Sequence, residues 1–193
     1  MTLKAILSNL ILSRLDIARA KRILGDTPVL SVFFKLISQS LIDKEYPAHL
    51  FLETTRACNL HCKSCPRSIL TSGYGHMNFG LFKKIIDEAG LFGRRNFCLH
   101  MLGEPLMHPE IVKLVGYIKS SPVRHSILLT TNGYFLDAAK AKTLIENKVD
   151  KIVVSIFSLR KDRLNSLTGN TDITKVVDNI SSAAILNKEL GSK

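Results

Sequence analysis

With 193 residues, 46% of them hydrophobic and 22% charged, the chain has the length of one α/β domain and enough apolar residues to bury a core, which excludes global disorder. The formal net charge of +11 is spread, with 7 basic and 4 acidic residues in 1–50, 7 and 5 in 51–110, and 13 and 7 in 111–193; without Trp, this argues against a specific nucleic-acid partner. Three of the four cysteines fall within eight residues, which excludes a secreted disulfide framework and suits metal ligation in a reducing cytoplasm.

In chain order, Leu3, Ile6, Leu7, Leu10, Ile11, Ile17, Ala20 and Leu24 recur at three- and four-residue spacing with basic residues between them, and predict an amphipathic helix. Arg14, Asp16, Arg19, Lys21 and Arg22 interrupt the apolar run, so it reads neither as a secretory signal nor as a membrane span. Asp26-Thr27-Pro28 breaks the pattern and Val29 to Ile42 predicts a second amphipathic helix. Residues 1–46 are thus expected to be a helical extension. Such a basic amphipathic element serves either as a cap on the main domain or as a peripheral membrane contact.

From Pro47 onward short apolar strands alternate with capped helices, and 47–193 is expected to be the main domain. Strands are predicted at Leu50–Thr54, Phe97–Leu102, Ile127–Thr130 and Ile152–Ile156. A helix begins near Asn78, buries Phe82, Ile85, Ile86 and Ala89 and stops at Gly90. Pro109 opens the next at its first turn, with Ile111, Leu114, Val115 and Ile118 as its buried stripe. Asp137 caps a third, and Asp172 caps the last, whose buried face is Ile173, Val176, Val177, Ile180 and Ala184 and which ends near Gly191. Arg160, Lys161 and Arg163 read as a solvated loop. Repeated strand-then-helix order implies parallel strands with right-handed crossovers. About four such units are present, and a closed eight-unit barrel needs about 250 residues, so the expected fold is a partial, open parallel (β/α) barrel whose fourth strand is an exposed edge.

Cys58-Asn59-Leu60-His61-Cys62-Lys63-Ser64-Cys65-Pro66 directly follows the first strand, at the end where parallel α/β folds place their sites. Three thiolates at this spacing suit three irons of a cubane cluster, leaving the fourth iron without a protein ligand. CxxxCxxC after the first strand of a β/α domain resembles the radical S-adenosylmethionine (radical SAM) superfamily. A second segment, His100-Met101-Leu102-Gly103-Glu104-Pro105-Leu106-Met107-His108-Pro109, resembles that family's GGEP motif followed by LLHP, with Leu102 in place of the first glycine. Thr131-Asn132-Gly133 resembles its TNG segment, and Ser155 the serine ending its fourth strand.

The resemblance covers Phe51 to about Asn179. It implies a [4Fe–4S] cluster held by Cys58, Cys62 and Cys65, whose open iron takes the amino and carboxylate groups of S-adenosyl-L-methionine. One electron from an external reductant then cleaves the sulfonium, and the 5′-deoxyadenosyl radical abstracts hydrogen from a substrate. It further implies that Gly103, Glu104 and Pro105 form the methionine side of the cofactor site, with Glu104 accepting from the ammonium and Gly103 allowing close backbone approach. Thr131, Asn132 and Ser155 would face the nucleoside. The segments look most like members with a C-terminal auxiliary-cluster (SPASM-type) domain, here truncated, which implies a peptide or protein substrate. The position before Cys65, often aromatic in the family, is Ser64 here.

Two other readings stay open at this level. A zinc site of Cys58, Cys62, Cys65 and one of His61, His100 or His108 would make a noncatalytic interaction module, as would a cluster-binding remnant completed by a partner. Cys98, between Phe97 and Leu99, reads as a buried small hydrophobe, and Glu53 is unassigned.

Overall fold

The computed structural model describes residues 46–70, 73–169 and 171–190, and of Ser68 the backbone alone. The chain divides into two units, Met1–Pro47 and Ala48–Lys193, and only Tyr46 and Pro47 of the first are among the described residues. The two helices expected within 1–46, and the division after residue 46, therefore lie outside what the structure describes.

The second unit is one parallel sheet of four strands in sequential order: β1 His49–Phe51, β2 Asn96–Cys98, β3 Ser126–Thr131 and β4 Lys151–Val154. All three pairings are parallel, with Leu50 opposite Phe97, Phe97 opposite Ile127 and Leu129 opposite Ile152. Five helices follow the strands: α1 Phe79–Gly90, α2 Ile111–Ser120, α3 Ala138–Glu146, α4 Lys161–Thr168 and α5 Ile173–Glu189. The open parallel β/α arrangement expected from the sequence is the one found.

Period-two patterning explains the core. In β3, Ile127 and Leu129 are buried while Ser126, Leu128 and Thr130 alternate with them on the half-covered face. Phe97 joins the buried layer, and the helices supply Phe82, Ile86, Leu114, Ile118 and Leu144 at i, i+3 and i+4 spacing, all of them essentially without exposure. Each such side chain contributes about 1.5–3 kcal/mol. Three helix starts were legible as caps: Asn78 accepts from Leu81 N, Asp137 from Lys140 N, and Asp172 from Thr174 N and Lys175 N.

Several element boundaries depart from expectation, and the causes are tertiary. The first strand stops at Phe51 rather than Thr54. Although Leu52 N still donates to Cys98 O, the next residues turn to a different partner: Met77 N donates to Thr54 O and Arg56 N to Gly75 O. The second strand stops at Cys98 rather than Leu102, because Leu102 N donates to the Glu53 carboxylate at 3.1 Å and Glu104 N to Ala57 O at 2.8 Å. Helix α2 begins at Ile111, so Pro109 lies before the helix instead of opening it; His108 Nδ1 accepts from Glu110 N there. Helix α4 replaces the loop expected around Arg160–Arg163. Finally, Val177 and Ala184, expected on the buried face of α5, are exposed, whereas Val176 is buried and Ile173 and Ile180 are half-buried.

Two buried histidines make stability depend on pH. His108 and His125 are each 3% exposed, and burial holds both imidazoles below their ordinary pKa, with the Arg95 and Lys119 charges adding to the effect at His125. Because the unfolded chain takes up these protons first, near pH 6.5, the stability is fully present above that value and is lost as pH falls from there through the folded-state values. Urea midpoints measured from pH 7.5 down to 5 should therefore decline, and a smaller decline is expected for His125→Gln.

Candidate cofactor site

The loop after β1 is held from three sides. The 9%-exposed Arg67 donates through Nη2 to Leu60 O at 2.6 Å, and Leu60 itself is buried. Across the cavity, His61 N donates to Thr168 O at 3.0 Å and Lys63 N to Leu167 O at 2.9 Å, tying the loop to the end of α4. Within the loop Cys65 N donates to Cys62 O, and Leu60 N to Cys58 Sγ at 3.5 Å. These bonds set Cys58, Cys62 and Cys65, all free and half-buried, on the wall of one cavity of about 210 Å³. Cys98 is free and buried in the sheet, away from this wall.

Burial pushes the Cys58 thiol up, and the Glu104 carboxylate raises it further against the opposing Leu60 N–H. For Cys62 burial again leads, followed by the charge of Cys65. Thiols raised in this way bind a metal only by giving up protons, and their crowded negative charge then needs a cationic core between them. Soft sulfur donors with that requirement fit an iron–sulfur cluster. Among the described residues no group of three or more His, Cys, Asp or Glu is gathered closely enough to ligate a single ion. Of the imidazoles considered for a zinc shell, His61 is exposed, His108 is committed at both nitrogens, to Met77 O and Glu110 N, and His100 alone lines the cavity with the cysteines. A cluster whose corner irons each take one thiolate does not require the closeness that a zinc ion does.

Gly103 and Glu104 lie on the same wall. Glu104 is 2% exposed; its Oε1 accepts from Thr131 Oγ1 at 2.6 Å and Leu106 N at 3.1 Å, and its Oε2 from Asn132 N at 2.7 Å. Burial pushes this carboxyl up, while the three hydrogen bonds favour its charged form. The carboxylate therefore braces the turn after β3 against the turn after β2. Pro105 is buried, opens a short 3₁₀ turn over Pro105–Met107, and is not on the cavity wall.

The need for glycine at 103 has a specific cause. A Cβ there would lie 1.9 Å from Thr55 O and 2.7 Å from its carbonyl carbon, so the close approach is to the cysteine-loop backbone. Gly103→Ala is expected to force the two turns apart, costing at least about 2 kcal/mol and weakening S-adenosylmethionine binding in parallel, as read by thermal unfolding and equilibrium dialysis.

Thr131, Asn132 and Ser155 complete the strand-end wall. Asn132 Nδ2 donates to Asn59 Oδ1 at 2.9 Å, linking the cysteine loop to the β3 turn, and Ser155 N donates to Thr131 O at 2.9 Å. Apart from Pro105, the structure brings all the expected residues to one cavity. The opposite wall was not anticipated: Leu164 and Thr168 of α4, then Thr171 and Val176, with Thr168 and Thr171 hydroxyls 2.8 Å apart. Leu164 and Thr168, four residues apart, were the available helical signal, and the surrounding charges obscured it. Asn59 and Glu53 were likewise missed, because their partners Asn132 and Leu102 lie far along the chain, and Arg67 was missed because its bond to Leu60 O depends on how the loop between them folds. His100 also lines the cavity, edge-on to Phe51 at 5.6 Å.

Comparison with known proteins is decisive at this point: residues 52–188 match the Radical SAM superfamily. The chain belongs to the radical SAM superfamily. Enzymes of this superfamily carry a [4Fe–4S] cluster and bind S-adenosylmethionine, as the sequence motifs implied. Among radical SAM relatives, the GTP 3′,8-cyclase of Moorella thermoacetica is 31% identical over 137 residues, covering 70% of this chain and 42% of the cyclase. The crystal structure of BtrN in complex with AdoMet and 2-DOIA is 28% identical, with a TM-score of 0.52, over 55% of this chain and 44% of that one. Native anSMEcpe with bound AdoMet and Kp18Cys peptide is 25% identical, with a TM-score of 0.55, over 73% and 40%. The chain thus spans less than half the length of each. Among the described residues no helix is long and apolar enough to cross a membrane.

Proposed function

We propose that Cys58, Cys62 and Cys65 ligate three irons of a [4Fe–4S] cluster, and that S-adenosylmethionine occupies the rest of the cavity. When bound, the cluster supplies the electron that cleaves the sulfonium. The protein's part is to orient and enclose. Gly103 and the Glu104 brace shape the methionine side, with Pro105 holding the brace from behind. Thr131, Asn132 and Ser155 face the nucleoside, and Leu164 and Val176 keep water from the far side. The observation that carries this reading is the convergence of three half-buried free thiols and the Glu104–Thr131–Asn132 network on one cavity.

The hydrogen donor we assign is a peptide or protein, a class supported by the peptide bound to anSMEcpe. An external one-electron reductant completes the reaction, and three free thiols favour a reducing cytoplasm. Residues 1–46 form a separate helical extension in this reading, available for a peripheral membrane contact.

The test is anaerobic reconstitution with iron and sulfide, reduction with dithionite, and chromatography for 5′-deoxyadenosine formed from S-adenosylmethionine. A brown protein that forms the nucleoside is expected. Colourless, zinc-replete protein would remove the radical reading, and a brown protein without cleavage would leave a cluster-binding module.

A further inference from the structure

The geometry points to a second ligand site, for a phosphate group, at the amino-terminal end of the sheet. Three successive helix-to-strand loops each send one cation there: Arg94 before β2, Arg124 before β3 and Lys148 before β4. With Lys119 from the last turn of α2 they line a cavity of about 490 Å³, floored by His125. The site is separate from the cysteine loop. His125 immediately precedes β3, whereas Thr131, bonded to Glu104, ends it, and six strand residues span about 20 Å.

Charge decides the ligand class. Asp150 is the one acidic residue on this wall, and it is already engaged, accepting from Lys119 Nζ and from Ile127 N. Arg94, Arg124 and Lys148 have no acidic partner among the described residues. Helices α1, α2 and α3 end on this side, and each carboxyl end carries roughly half a negative charge. Together with Asp150 these offset somewhat over half of the four cations. The remainder, on the order of one to two positive charges, is the complement of a phosphate group. Arginine forks and a lysine ammonium are the groups that recognise one. Burial, reinforced by Arg95 and Lys119, keeps the His125 ring neutral, so it adds nothing to this balance.

Lys148 supplies an independent sign. It follows α3 with φ of 56°, in a helix-ending turn where its N–H donates to Ile145 O and Val149 N to Leu144 O. Glycine or asparagine usually occupies that left-handed position, and a lysine there carries backbone strain while placing a cation at the cavity. The phosphate can come from a soluble molecule or from a lipid headgroup; the 82%-exposed Leu91, on the same loop as Arg94, would meet the acyl region in the second case.

Calorimetric titration of the full chain with inorganic pyrophosphate, and cosedimentation with phosphatidylcholine vesicles with or without phosphatidic acid, separate the two sources. The variants are Lys148→Gly, alone and combined with Arg124→Ser. Lys148→Gly removes the positive-φ strain, so its melting temperature should equal or exceed that of the wild type while binding weakens several-fold; the double variant should weaken it at least tenfold. Saturable pyrophosphate binding with this sensitivity supports the site with a soluble ligand. The same sensitivity confined to phosphatidic acid vesicles supports it with a lipid. Absence of saturable binding in both arms, or binding that the double variant retains, overturns it.

Discussion

Cys62→Ser should yield a protein that folds but stays colourless after reconstitution, with 5′-deoxyadenosine formation reduced at least about 100-fold. The magnitude follows from comparison. Groups that merely orient a metal ligand already cost 10–100-fold when removed, and here a ligand itself is lost. The fold should survive, because Cys62 is half-buried in a loop held by its neighbours: Leu60 O by Arg67, His61 N by Thr168 and Lys63 N by Leu167. Its apo melting temperature should stay near wild type, as for a surface substitution within about 0.5 kcal/mol. Iron analysis, the visible spectrum and the cleavage assay check the three parts. A reconstituted Cys62→Ser protein with full iron content and undiminished cleavage would defeat the ligand assignment.

Glu104→Ala is expected to be the most destabilising single change in the cavity, by at least about 3 kcal/mol in urea unfolding. Three donors, the Thr131 hydroxyl and the N–H groups of Leu106 and Asn132, converge on one 2%-exposed carboxylate, and all would lose their acceptor. Each buried orphan costs about 1–3 kcal/mol. Glu104→Gln separates the role of shape from that of charge. It preserves the volume and one acceptor oxygen, but if that oxygen takes the Oε1 place its amide nitrogen meets the Asn132 N–H, donor against donor. A loss of about 1–3 kcal/mol is therefore expected, with S-adenosylmethionine binding weakened as well. Ser155→Ala is the control for stability alone, and its urea midpoint should stay near wild type: this side chain is exposed, and only its backbone N–H takes part in pairing. If Glu104→Gln melted and bound cofactor like wild type, the brace would not have the role assigned to it.

Much of this protein is determined by short-range patterns. Period-two runs place four strands, and 3.6-residue spacing places the helices between them. Asn78, Asp137 and Asp172 cap helices within three residues of themselves, an interaction any reader of the chain can see. The cysteine spacing, Gly103-Glu104-Pro105 and Thr131-Asn132 announce the site because each is a compact motif at a strand end.

Only the tertiary structure decides what joins these motifs. Glu104 reaches Thr131 and Asn132 across more than twenty-five positions, Gly103 is required by the Thr55 carbonyl, and Asn59 meets Asn132 from a different loop. Strand ends move for the same reason, since the Glu53 carboxylate captures Leu102 N before the sheet can. Helix α4 hid behind its charges because its buried side, Leu164 and Thr168, is recognisable only once a cavity exists for it to close. Local sequence encodes propensity and spacing, whereas a hydrogen bond between distant residues exists only after the chain crossings bring donor and acceptor together.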